Sequence, residues 1–410
     1  MIVPEHGEDM TVTAAPTHTE VNSGVSFWSI AAVFAISMAF STVPTPLYPI
    51  YQAEDGFTAF TVTVVFAAYA VGVVTSLLLA GHISDRTGRR RVLLAAIGLE
   101  SLAAVLFLTR PDLPGLLLAR FVTGLGVGIM AATATAYLLE LHAAHRPGAG
   151  RGRFELVSAA ANLGGLGAGT LVAGALAQFV SAPLRTPYVV FLVLLALSAV
   201  AVLAAPETVT VPAVAPRYRP QRIRIAASDR AGYLTAALGA FSAFAVFGLF
   251  TSLAPSFVAG SLHHPGRLLA GVVAFAVFGA AATAQAASGS LTPARRFTAG
   301  LAAEATGLIV LGAGMNLPSL TIFLLGGVIA GAGAGLLFKA AVGTVAATAA
   351  PAVRGEALAG LFLIAYLGLI GPALGLGIAT RHLTATTAML WFSGLLLTLL
   401  GATAVARSRS

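Results

Sequence analysis

The chain has 410 residues, of which 58% are hydrophobic and only 9% charged, and its formal net charge is +8. So few charged side chains cannot cover a water-soluble body of this size, which places the chain in a lipid bilayer. Cysteine is absent, which excludes disulfides, thiolate nucleophiles and Cys-ligated metals.

The first 25 residues carry Glu5, Glu8, Asp9 and Glu20 but no Lys or Arg, so they lack the basic start of a cleaved signal peptide. They read as a disordered cytoplasmic tail. Twelve apolar segments follow, each long enough to cross a bilayer as a helix. They are 27–48, 60–80, 91–108, 114–137, 156–180, 187–205, 231–257, 268–287, 297–314, 320–348, 357–379 and 385–405. The short segments of alternating polarity that a β-barrel needs are missing, so the fold class is all-α integral membrane. The eight histidines lie in tails, loops or at helix ends without a His-Glu-x-x-His helix, and no metal site or hydrolase constellation emerges.

In chain order, the first polar feature is Gly81–Arg91, "GHISDRTGRRR", between spans 2 and 3, with one acid and four arginines. Gly88 supplies the freedom for a sharp turn there. Charges inside spans come next: Glu100 in span 3, Arg120 in span 4, Glu304 in span 9 and Lys339, the one lysine, near the end of span 10. Each is costly in hydrocarbon and marks either a pathway or a brace. Between spans 6 and 7 a polar linker, 206–230, separates an N-terminal half, 26–205, from a C-terminal half, 231–406.

Seventeen of the 23 basic residues fall on the termini, the linker and the loops after even-numbered spans, against four on the loops after odd-numbered spans. That bias puts both termini in the cytoplasm of a cell whose inner (plasma) membrane holds the chain. The arginines are scattered over loops rather than forming one patch, so the charge reports topology and not nucleic-acid binding.

The chain repeats. "TPLYPIY" (Thr45–Tyr51) falls on "TSLAPSF" (Thr251–Phe257) at a shift of 206, and Gly124, Gly126 and Gly128 fall on Gly331, Gly333 and Gly335 at 207. Glu100 falls on Glu304 at 204. Such a shift crosses six spans, an even number, so the two six-helix halves are parallel.

Through Gly81, Asp85, Arg86, Gly88, Arg89 and Arg90 the loop after span 2 resembles the signature of the major facilitator superfamily, Gly-x-x-x-Asp-Arg-x-Gly-Arg-Arg. The "PET" after span 6 and the basic linker are similar to that family too. The resemblance implies a conformational latch: the acid at Asp85 would sit against the cytoplasmic start of span 11, near Gly355, in the outward-facing state. In the second half "GSLTPARR" has Pro293 where the acid would stand, so the latch is one-sided. The alternative is a loop that only fixes topology. In "LLLARFVTGLGVG", Arg120 matches the arginine of proton-coupled members, implying a role in proton coupling with Glu100 or Glu304; the alternatives are a brace to backbone carbonyls and acids hydrogen-bonded between helices. "GLGAGTLVAGALAQ" in span 5 is similar to the antiporter motif, but Thr170 and Ala173 stand where proline and glycine are expected.

The family's cavity is lined by spans 1, 4, 7 and 10, which implies Tyr48, Tyr51, Tyr137, Phe244, Phe247 and Lys339 as substrate-cavity residues, unless these aromatics merely pack. Asn162, Gln178 and Gln285 are the few amides in the spans. A cavity so poor in hydrogen-bonding groups suits amphipathic organic compounds rather than sugars. No Gly-x-x-x-x-Gly-Lys loop is present for ATP drive. The expected function is therefore proton-linked efflux by alternating access, as a monomer without cofactor. An importer of a metabolite or organic anion, favoured if Lys339 faces the cavity, a non-transporting sensor and a membrane enzyme are the alternatives. Single cysteines introduced at Ser84 and Ser261 are expected to label with an impermeant thiol reagent from the cytoplasmic and outer sides respectively; labelling of both from one side would refute the orientation.

Overall fold

The computed structural model describes residues 23–80, 83–209, 230–350 and 353–408. Most of the expected tail, the linker from residue 210 to 229, and Gly81 of the loop motif lie outside the described residues. Twelve described helices are long and apolar enough to cross a membrane: Gly24–Glu54, Ala59–Ala80, Arg89–Thr109, Leu113–His145, Gly152–Phe179, Thr186–Ala204, Arg230–Ser252, Arg267–Ser290, Pro293–Asn316, Leu320–Thr348, Arg354–Ala379 and Ala385–Ser408. We number them spans 1 to 12. The described residues contain no strand, in keeping with a hydrocarbon environment where a helix satisfies its own backbone.

Three details depart from uniform rods. Span 1 stops its α-helix at Thr42, tightens to a 3-10 turn over Thr45–Leu47 and resumes at Tyr48–Glu54. Pro44, Pro46 and Pro49 remove backbone donors there. Span 7 breaks after Ser252, and a separate helix, Ala254–Gly260, continues it. Span 5 contains a π-helical turn over Ala160–Gly164. Span 4 runs on to His145 instead of ending at Tyr137, because Leu138 and Leu141 still find buried contacts.

The two broken ends meet. Thr45 Oγ1 donates to the Thr251 carbonyl at 3.2 Å, so two residues equated by the repeat touch each other, and nearby Ser256 Oγ donates to Gln52 Oε1 at 2.6 Å. Such contacts lie on the pseudo-twofold axis relating the halves. Spans 5 and 8 form a second junction: a Cβ on Gly174 would lie 2.7 Å from the Arg267 carbonyl, and Thr170 Oγ1 donates across it to the Gly271 carbonyl at 3.0 Å. Thr170, where the family's antiporters carry proline, thus acts as a cross-half tie. These junctions, with Arg381 standing 3.9 Å over the Phe60 ring, join the halves at the end away from the basic loops. Ser84 is only 1% exposed, so the exposed Ala149 of the loop after span 4 is the better labelling position for the basic face.

Within the N-terminal half, spans 2 and 4 approach most closely at Gly72 and Gly124, where a Cβ on Gly124 would stand 3.0 Å from the Gly72 Cα. Gly124→Ala is expected to lower the thermal unfolding midpoint, at a cost of ~1–3 kcal/mol from overpacking. Gly279→Ala, which meets open space, is expected to leave it unchanged or slightly raised.

Candidate substrate cavity and its charged groups

Between the halves lies a cavity of about 290 Å³. It is lined from spans 1, 2, 4, 5, 7, 8, 10 and 11, and not from spans 3, 6, 9 or 12. At the closed end sit Thr45 and Thr251, the pair on the axis; toward the basic loops it reaches Leu77, Thr135 and Phe362. Its walls are mostly apolar, and eight of the lining residues are aromatic. Phe244 packs on Phe338 at 4.9 Å and on Tyr366 at 5.3 Å between ring centroids, and Phe247 stacks on Phe278 at 5.1 Å.

Of the expected substrate-cavity residues, Phe244 and Phe247 line this cavity. Tyr48, Tyr51, Tyr137 and Lys339 do not line this cavity, and each has a physical reason. Tyr51 stacks on Phe57 at 6.0 Å, with its hydroxyl 3.5 Å from that of Tyr188; with Tyr48 it surrounds a gap of only about 10 Å³, no larger than a water needs. Tyr137 is fully buried and donates to the Pro206 carbonyl. Lys339 Nζ donates to the Gln285 carbonyl at 2.8 Å and pairs with Glu155 of span 5 at 3.4 Å. Conversely, Phe66, Tyr69, Phe278 and Tyr366, on spans 2, 8 and 11, line the cavity without having been expected there. A phenol halfway along an otherwise apolar span, as at Tyr69 and Tyr366, was the signal available.

Arg120 is 1% exposed and lines the cavity. Its Nη1 donates to the Ser41 carbonyl at 2.7 Å, its guanidinium carbon stands 4.5 Å from the Tyr69 ring centroid, and its Nε has no partner. Among the described residues it makes no ion pair, with Glu100 or any other acid. Glu100 instead accepts from Ser37 Oγ at 2.5 Å, and Glu304 accepts from Ser242 Oγ in the second half. Both glutamates are fully buried away from the cavity lining, and each leaves its second carboxylate oxygen unpartnered. Gly126 and Gly333 make room for them, since a Cβ there would stand 2.8 Å from Glu100 Cγ and Glu304 Cβ respectively.

The family model of the Major Facilitator Superfamily matches residues 30–303, more than half of the chain. The chain belongs to the Major Facilitator Superfamily. It is similar to an uncharacterized MFS-type transporter of Mycobacterium tuberculosis, 28% identical over 37% of this chain and 26% of that one. It is also similar to the arabinose-proton symporter of Bacillus subtilis, 32% identical over 18% of this chain and 16% of that one. The matched segments thus span about a quarter or less of these relatives' length. A solved structure, the human organic anion transporter MFSD10, superposes with a TM-score of 0.69 at 17% identity, covering 93% of this chain and 99% of that one, which shows the shared fold. The matched family and these relatives are membrane transporters.

The superfamily's loop after span 2 is built from charges. A short helix, Ser84–Thr87, ends at Gly88 with φ +97°, where a side chain would be strained and would strike Glu207 Oε2 at 2.7 Å. Asp85 pairs with Arg89 at 2.6 Å while leaving 61% of its side chain exposed, so its carboxylate is engaged within its own loop. Arg89 also pairs with Glu140 of span 4 at 2.7 Å and donates to Ser84 Oγ at 2.6 Å, and Arg90 donates to the Leu203 carbonyl at 2.5 Å. Glu207, the acid of "PET", accepts from the backbone amides of Arg89 at 2.9 Å and Arg90 at 3.1 Å, capping span 3. Thr208 Oγ1 closes the ring by donating to Glu140 Oε2 at 2.5 Å. Span 3 starts with no cap of its own, and an anion at a helix N-terminus satisfies its free amides. Glu207→Ala is expected to cost ~0.5–2 kcal/mol in thermal unfolding, with Glu207→Gln losing less because it keeps an acceptor.

Proposed function

We propose that the protein is a secondary active transporter that exports small amphipathic organic compounds by alternating access, driven by protons. The observation that carries this reading is the aromatic cavity between two parallel halves, closed at one end by cross-half contacts at Thr45, Thr251 and Thr170. The serine and threonine hydroxyls on its wall already donate to backbone carbonyls, which leaves Tyr69, Arg120, Asn162 and Tyr366 to meet a guest and suits amphipathic cargo better than polyhydroxylated cargo. In this reading the protein works as a monomer in the inner (plasma) membrane, with the basic loops and both termini cytoplasmic, and the cavity as described opens inward. The halves 26–205 and 231–406 rock about the axis, with 206–230 as their linker. The loop of Asp85, Arg86, Gly88, Arg89 and Arg90, together with Gly81, releases or holds span 11 as the state changes.

Glu100 and Glu304 are the intramembrane acids available to carry the proton. Glu100 is the better placed: Ser37, which holds it, and Ser41, whose carbonyl holds Arg120, are one helical turn apart on span 1. A movement of span 1 therefore bears on the acid and the cation at once, and a cation's approach to a carboxyl favours its ionised form. A second reading, import of organic anions, is favoured by Arg120 rather than by Lys339, because Arg120 is the charged side chain on the cavity wall. In proteoliposomes with an imposed proton gradient, and with a cargo supplied by a resistance screen of the expressing strain, Arg120→Ala is expected to abolish uphill flux. Glu100→Gln is expected to flatten its pH dependence. Uphill flux at the wild-type level, with an unaltered pH profile, in both variants would refute the coupling.

A further inference from the structure

A cation enclosed in a low-dielectric wall has a strong electrostatic demand, and the cavity described above leaves that of Arg120 unmet. The guanidinium carries five N–H donors, of which the Ser41 carbonyl takes one and the buried Nε has no partner. Arg89 pairs with Asp85 and Glu140, and Lys339 with Glu155, while no ion pair among the described residues reaches Arg120. Among the described residues no Asp or Glu lines the cavity. Burying a charge without a counter-charge is costly, and a guest that supplies one recovers that cost. A neutral guest leaves the cation uncompensated, and a cationic guest adds repulsion.

We propose that the Arg120 guanidinium is the seat of a substrate carboxylate, and that the cargo is a small aromatic carboxylic acid carried as its anion. This rests on the transporter reading and names the chemistry of its substrate. A planar guanidinium fork matches a carboxylate with two parallel hydrogen bonds, and the Tyr69 ring at 4.5 Å supports its face. The rest of the wall is suited to the ring: Phe244, Phe247, Phe278 and Phe338 present an aromatic lining that pairs with a guest ring by offset or edge contacts. Size agrees. An apolar protein cavity of about 150 Å³ accommodates benzene, so 290 Å³ takes one ring with an acid-bearing arm, or two rings. Glu100 and Glu304 do not compete for the seat in this arrangement, because their serines hold them between helices.

The test is binding to the purified full-length protein in nanodiscs at neutral pH, by calorimetry and thermal stabilisation. The probes are benzoate, phenylacetate, 1-naphthoate and biphenyl-4-carboxylate, each beside its amide and the corresponding amine, with hexanoate as the aliphatic acid. At least one aromatic carboxylate is expected to bind about tenfold or more tightly than its amide, and the amine not to bind, as a charge-assisted pair implies. Arg120→Gln is expected to bring acid and amide to equal affinity, and Arg120→Lys to recover part of the difference. Phe244→Ala is expected to reduce the preference for the aromatic acid over hexanoate while leaving the acid-to-amide ratio intact. Should Arg120→Gln fail to fold, the wild-type acid-to-amide ratio and the Lys variant decide. Equal binding of amides or amines, no binding by any of the four acids, or an acid preference that survives Arg120→Gln overturns the proposal. Proton-driven flux of a neutral or cationic compound without acid preference would remove the anion seat and keep the transporter; tight acid binding without flux would do the reverse.

Discussion

Between closely packed helices in a membrane a polar group must find its partner within the protein, and that constraint organises the rest of the structure. Hydroxyls donate to carbonyls of their own helix or a neighbouring one, as Thr42 does to Leu166 at 2.6 Å and Tyr233 to Ala357 at 3.1 Å. Each buried glutamate is held by a serine from the first helix of its half. Close packing then depends on glycines, because lipid offers no hydrophobic drive for helices to associate and contact area must come from near approach. Glu100, Glu304, Arg296 and Arg120 each keep one buried polar atom without a partner, and of these four Arg120 is the one that lines the cavity.

The internal duplication separates scaffold from function. Ser37, Glu100 and Gly126 recur as Ser242, Glu304 and Gly333, so the buried acid, its donor and the glycine that makes room for it were kept in both halves. What occurs twice and lies away from the cavity serves packing in both halves, whatever else one copy does. The cation occurs once. The shift of 207 that equates the glycines puts Gly327 opposite Arg120, and there a Cβ would stand 2.6 Å from the Phe250 ring. One half thus presents charge to the cavity and the other a hydrocarbon wall, which gives an amphipathic guest a direction in which to lie.

How much was legible in the sequence follows from the same physics. Span number and the parallel halves were readable because twenty apolar residues and a shift crossing an even number of spans leave few alternatives. Arg120 and the two glutamates stood out because charge in hydrocarbon is expensive. Which aromatics face the cavity was not readable. A helix apolar on every side has no moment to orient it, so Tyr48 and Tyr51 could not be told from Phe244 and Phe247 by pattern. Lys339 was misplaced because its partner, Glu155, comes from the other half, and Glu207 was read only as part of a family motif because its role as the cap of span 3 spans 118 residues of sequence.

The strength of the contacts between halves bears on whether the proposed rocking is feasible. At the closed end the polar ties are neutral hydrogen bonds, from Thr45 to Thr251, Ser256 to Gln52 and Thr170 to Gly271, each worth about 0.5–1.5 kcal/mol. Exposed Arg381 over Phe60 adds a contact of about 0.5–1 kcal/mol. At the basic end Lys339 meets Glu155, whose side chain is 48% exposed, and such a pair is worth about 0–1 kcal/mol. None of these is a lock. The loop network around Arg89 and Glu207 is denser and more charged, yet it lies within the N-terminal half and its own linker, so it stiffens that half as a body without tying it to the other. Rigid halves joined by weak, replaceable polar contacts are what a pair of rocking bodies requires, and a guest biases which end stays closed only by as much as it binds one state better than the other.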